Sequence, residues 1–238
     1  MNHPVGMDQC LSFINAQLQA PREGFYAEPG RRRAVTISRQ TGSGGHSVAA
    51  SLAERLNHLS PSEACRWTVF DKNLVEKVLE EHHMPGRLAR FMPEDRIGEM
   101  ADTMDELFGL HPPSWTLVRQ TAETILHLAE LGNVILIGRG ATLITRRLPY
   151  VFHVRLVGSL EHRVHNVQES EGLSAKAALD LVNRQDLGRQ RYLKKYFNRD
   201  IDDPLLYHMV INTDWVRYDE AARIIAEAVR PQEQLAIP

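Results

Sequence analysis

The stretch ISRQTGSGGHS, Ile37 to Ser47, ends an apolar run in a cluster of glycines and hydroxyls and opens directly onto a helical pattern. A strand that turns through glycines into a helix aims consecutive backbone N–H groups, and the positive end of the helix dipole, at one point. That is a seat for phosphate. Thr41, Gly42, Ser43, Gly44, Gly45, His46 and Ser47 are therefore the candidate phosphate-cradling residues. The usual phosphate-loop pattern, G-x-x-x-x-G-K-[ST], adds a lysine on the β and γ phosphates and a hydroxyl on magnesium. Two alignments are open here. With Ser47 in the hydroxyl position right after the lysine, His46 takes the lysine position and Gln40 the first glycine. Counted from the strand, Gly45 replaces the lysine and Arg39 the first glycine. Neither contains a lysine. A cation for a transferring phosphoryl group must then come from Arg39, His46 or an arginine elsewhere, while Ser47 is the candidate magnesium ligand.

Two further clusters bear cations. ILIGRG, Ile135 to Gly140, ends an apolar run in an arginine, and Arg119 lies upstream in the helical pattern that feeds it. Guanidinium forks bind phosphate bidentately, so Arg119 and Arg139 suit a phosphorylated acceptor, with structural pairing of Arg139 as the alternative. NRQDLGRQRYLKKYFNRD, Asn183 to Asp200, is the most basic stretch. At helical spacing Arg184, Gly188 and Arg191 share one face while Asp186 and Gln190 lie on another. The run is either a solvated helix surface, a polyanion site, or a mobile cover closing over nucleotide phosphates. Asp71, in VFDKN, either orients an acceptor hydroxyl or magnesium, or caps the following helix. The histidine pairs 82/83 and 162/165 show no metal spacing and read as structural.

The elements that must position these groups alternate. AVTIS, RWTVF, NVILIG, VFHVRLV and HMVINT read as strands, each followed by helical spacing, and Gly132 closes the long helix begun near Ser114. Such alternation predicts an α/β fold with an open, mostly parallel sheet whose ligands sit beyond the strand carboxyl ends, where the glycine loop falls. Residues 1–33 read as a helical appendage and linker, whose apolar face (Cys10, Leu11, Ile14, Leu18) packs on the core or pairs with a second copy as a homo-oligomer contact. The core domain is expected at 34–230, with an insert at about 72–113, a lid at about 172–203 and a tail at 231–238.

Composition sets the outer bounds. With 238 residues, 28 Lys and Arg against 30 Asp and Glu, the formal charge is -2, which argues against nucleic acid as a partner. Two cysteines without metal spacing, and no basic-then-apolar leader, point to a soluble protein of the reducing cytosol. No apolar run approaches the roughly 20 residues that cross a bilayer.

With these regions in order, the chain from about Ala34 to Val229 resembles the cytidylate kinase-like branch of the P-loop nucleoside monophosphate kinases. TISRQTGSGGHS, VRQTAETILHLAELGNVILIGRG and RQDLGRQR carry the resemblance, with YHMVINT near the adenine of ATP. It implies a three-layer P-loop kinase-like fold, a helical acceptor-binding insert and an arginine-rich lid. It also implies ATP and Mg2+ as cofactors and a nucleoside monophosphate, CMP by resemblance, as acceptor. Arg119 and Arg139 would contact the acceptor phosphate. Arg184, Arg189 and Arg191 would clamp the phosphates in transit, and Asp186 would orient the lid. The departures are the absent lysine and Gly140, which stands where the family has an aspartate for the acceptor sugar. The alternative function is a non-catalytic nucleotide-binding regulatory protein.

Overall fold

The structure, a computed structural model, describes residues 34–59, 66–71, 116–138 and 140–230, with only the backbone for 116–120. The expected N-terminal helix, the insert at 72–113, Arg139 and the tail lie outside the described residues.

Strands and helices alternate along the described chain. They are β1 (Ala34–Arg39), α1 (Gly45–Leu59), β2 (Thr68–Phe70), α2 (Thr116–Leu131), β3 (Val134–Ile137), a short α3 (Ala141–Ile144) and β4 (Val151–Val157). Then follow α4 (Leu160–Glu171), α5 (Ala175–Phe197), a 3-10 turn (Pro204–Leu206), β5 (Met209–Asn212) and α6 (Tyr218–Val229). The strands lie in the order β2-β3-β1-β4-β5 and every pairing is parallel. β1 is central, so the loop that leaves it opens at the crevice where the chain departs to one side and β4 and β5 build the other.

Both faces of the sheet are covered, which is why the strands read as apolar runs. Side chains alternate along β1: Val35 and Ile37 pack with Val48 and Leu52 of α1 and Ile225 of α6, while Ala34 packs with Ile125 and Leu126 of α2. The result is three layers. Each fully buried aliphatic side chain stabilises the fold by about 1.5–3 kcal/mol. One polar row interrupts the α2 face. Thr36 meets Thr142 Oγ1 at 3.0 Å and His153 Nδ1 at 2.8 Å, so the hydroxyls buried there have partners. Among the described residues no helix is long and apolar enough to cross a membrane.

His127 of α2 is buried, with its Nδ1 lacking a hydrogen-bond partner among the described residues. Burial lowers its pKa from 6.5 to about 4, so the ring is neutral at pH 7. The unfolded chain binds this proton below pH 6.5 and the folded chain only near pH 4. Stability therefore falls as pH drops through that window, by about 3 kcal/mol in all. Urea unfolding from pH 7 to 4 should show this slope in the wild type and a shallower one in His127→Leu. Equal slopes would contradict it.

Candidate phosphate-binding site

The loop after β1 is fastened at three levels. Gln40 N–H donates to Leu156 O at 3.0 Å and its Oε1 accepts from Gly158 N–H at 3.0 Å, which ties the loop entrance to the end of β4. Ser43, fully buried, donates from Oγ to Gln40 O at 2.8 Å, so its side chain holds the turn from inside. Gly42 and Gly44 have φ of +82° and +77°, the left-handed region that side chains rarely adopt. Their missing side chains leave room for neighbours: a Cβ on Gly42 would stand 2.8 Å from the Arg163 carbonyl carbon, and one on Gly44 would stand 2.6 Å from Tyr218 Cδ1. Asn166 Nδ2 donates to Gly42 O at 2.9 Å and to the Tyr218 hydroxyl at 2.8 Å. Burial raises the Tyr218 pKa, against the opposing Asn166 bond, so the phenol stays neutral. Beyond the loop, α1 begins at Gly45, and the N–H groups of its first turn have no partner within the helix.

Helix α5 lies over this loop. Asp186 Oδ1 accepts from Thr41 N–H at 2.8 Å and from Thr41 Oγ1 at 2.9 Å, and Arg189 Nη2 donates to the same oxygen at 2.9 Å as well as to Thr41 Oγ1. From beneath, Arg163 Nη1 donates to Asp186 Oδ2 at 2.7 Å and to Thr41 O at 3.0 Å, while its Nε donates to Gly158 O at 3.0 Å. Burial pushes the Asp186 carboxyl upward, but the Thr41 N–H, the Arg189 guanidinium and the Thr41 hydroxyl outweigh it and hold its pKa below the usual carboxylate value. Helix α5 thus meets the loop through one carboxylate held between two guanidinium groups.

Two cavities flank the loop. The first, about 550 Å³, is lined by Arg39, His46, Asp71, Gly138, Arg189 and Tyr192 among others. His46 Nε2 stands 3.5 Å from Asp71 Oδ2, so Asp71 faces the loop. The second, about 660 Å³, is lined by His162, Asn166, Thr213, Trp215 and Tyr218 among others, and Asn166 and Tyr218 touch the loop from it.

The sequence-derived candidates therefore separate. Arg39, Thr41, His46, Asp71, Asp186 and Arg189 converge on the loop and the first cavity, with Gly42, Ser43, Gly44, Gly45 and Ser47 forming the turn and the first turn of α1. Arg184 and Arg191 are exposed on α5 and line neither cavity. Arg119 falls in α2, where only the backbone is described, and Arg139 is outside the described residues. Gly140 packs closely under Phe197, whose Cε2 would stand 2.8 Å from a Cβ there. Arg163, Asn166 and Tyr218, which are not among those candidates, hold the loop, and His162 lines the second cavity. The available signal was local: Arg163 and Asn166 stand three apart on one helix face.

The sequence profile of the cytidylate kinase-like family matches residues 34–215. A cytidylate kinase of Pyrobaculum islandicum is 28% identical over 192 residues, which cover 80% of this chain and 89% of that protein. A cytidylate kinase of Pyrococcus horikoshii is 26% identical over 147 residues, 61% of this chain and 73% of that protein. A solved structure of an uncharacterized protein from Eubacterium ventriosum superposes with a TM-score of 0.62 at 23% identity, covering 84% of this chain and 98% of that one, a likeness of fold. The profile match spans β1, the glycine loop, α5 and β5, and on that match the chain belongs to the cytidylate kinase-like family.

Proposed function

We propose that this chain binds ATP with its phosphates on the 41–47 loop and transfers the γ-phosphoryl group to a nucleoside monophosphate. The observation that supports it is one glycine loop flanked by two cavities, since a phosphotransferase needs a donor seat and an acceptor seat meeting at the transferring group. The adenine would lie in the second cavity, where Trp215, 86% exposed, offers an aromatic face. The acceptor would lie in the first, with Asp71 there and Arg119 and Arg139 supplying its phosphate contacts. Arg189 would serve the phosphates in transit: it lines the first cavity, and its Nε has no acceptor among the described residues.

Mg2+ fits this donor set as a substrate-borne ion. The described residues hold no cluster of three metal-ligating side chains, and magnesium at kinase sites is held by few protein oxygens together with phosphates and water. The Ser47 hydroxyl, in the first turn of α1, would be the protein's ligand. When bound, the ion neutralises charge on the β and γ phosphates.

The relatives' names make CMP the first acceptor to assay. ADP formation should rise above the acceptor-free background with at least one of CMP, dCMP, UMP and AMP. ATP binding without turnover for any acceptor would replace this reading with the non-catalytic regulatory one, and absence of ATP binding would overturn both.

A further inference from the structure

Gly45 stands at the lysine position when the loop is counted from the strand, and Arg39 at the first glycine. The two exchanges are one rearrangement in space. A Cβ on Gly45 would stand 2.9 Å from Arg39 Cγ, and 3.4 Å from both Cβ and Cδ, so the aliphatic stem of Arg39 already fills the volume from which a lysine at 45 would set out. The stem runs on toward β3. A Cβ on Gly138 would overlap Arg39 Nη1 and stand 3.3 Å from Cζ, so the guanidinium lies against the bare Cα of Gly138 at the carboxyl end of the strand beside β1. There it lines the first cavity together with His46, Asp71 and Arg189.

From this geometry we propose that Arg39 is the catalytic cation of the loop. It reaches the transferring phosphoryl group from the strand end and replaces the lysine absent from position 45. This rests on the phosphotransferase reading above and assigns one of its residues. His46 is the weaker candidate, because its imidazole is 57% exposed, whereas a guanidinium is a fixed cation. In the step itself an oxygen of the acceptor phosphate forms a bond to Pγ as the bond from Pγ to the β,γ-bridging oxygen breaks. The electron pair leaves with ADP, and no proton need move. Charge grows on the bridging oxygen, and a guanidinium stays cationic throughout.

The test uses the full-length chain carrying Arg39→Ala, Gly45→Lys, or Arg39→Gly together with Gly45→Lys. Arg39→Ala should lower kcat by about 100-fold, the size of effect seen when one preorganised donor to developing charge is removed. Affinity for ATP should fall by about tenfold while ADP binding changes little, because the lost charge-assisted bond goes to the γ-phosphate. Gly45→Lys alone should also lower kcat, its side chain competing with the Arg39 stem. The double variant should recover at least about tenfold over Arg39→Ala by returning the cation from position 45. A thermal melt of each variant without nucleotide reports whether the fold is intact. Arg39→Ala with kcat and ATP-to-ADP preference both near wild type would overturn the assignment and leave the phosphotransferase reading standing. Wild-type protein that binds neither nucleotide would overturn the reading itself. Should the wild type bind without turnover, the ATP-to-ADP preference alone decides.

Discussion

Asp186→Ala should destabilise the fold by about 3–5 kcal/mol, the cost of leaving a buried charge without its partner. The Arg163 side chain is 8% exposed and Asp186 20% exposed, so solvent screens their pair little. Without the carboxylate, Arg163 keeps, among the described residues, the carbonyls of Thr41 and Gly158, and Thr41 N–H loses this acceptor. Asp186→Asn should cost less, since an amide oxygen still accepts from Thr41 while the charge is gone. The measurement is urea unfolding, where the alanine variant's midpoint should fall well below that of the wild type. Acid provides an internal check. The Asp186 pKa is depressed on folding, so its contribution is present above the unfolded value of 3.8 and is lost as pH falls through the lower folded value. The gap between wild type and Asp186→Asn should therefore be constant from pH 5 to 7 and narrow only below about 4. A midpoint for the alanine variant equal to wild type would mean that α5 and the loop are held by something else.

The strand-loop-helix unit around Gly42 was legible because each of its signals is local. An apolar run ends in glycines and a helical period begins, and nothing distant is needed to read that. The continuous apolar strand VILI likewise announced burial on both faces. What fastens the loop was not legible. Arg163 and Asn166 reach it across 122 and 124 residues, and the Tyr218 ring closes against Gly44 from the final helix. Glycines signal that space is needed without saying what fills it. Helix α5 shows the same limit differently: helical spacing gives relative phase along it but not which face meets the loop. Tertiary packing through Val182 and Leu193 turns Asp186 and Arg189 inward and leaves Arg184 and Arg191 exposed. Asp71 was open between capping and function, and the structure places it in the first cavity opposite His46. The absent lysine was plain in the sequence. That Arg39 fills the space beside Gly45 required coordinates, because the two positions are six residues apart along a turn whose path the sequence does not specify.

Gly44→Val should abolish measurable ATP binding, for two reasons that add. At φ +77° a β-branched residue is in a conformation that costs roughly 1–2 kcal/mol or more, and the loop would relax toward negative φ, turning its N–H groups away from a shared focus. The new Cβ would also run into the Tyr218 ring, with Cδ1 at 2.6 Å, and α6 packs that ring against the loop too closely for a small shift to relieve the contact. Displacing Tyr218 breaks its bond from Asn166, which in turn holds the Gly42 carbonyl. The cradle thus loses both its shape and its fastening. Gly172→Ala is the control, because Gly172 also has positive φ, +65°, but a Cβ there meets nothing within 4 Å. That variant should lose only about 1 kcal/mol of stability and bind ATP as the wild type does. Calorimetric titration with ATP, alongside thermal melts of both variants, separates site from fold. If Gly44→Val stays folded and binds ATP with wild-type affinity, the phosphates do not sit on this loop.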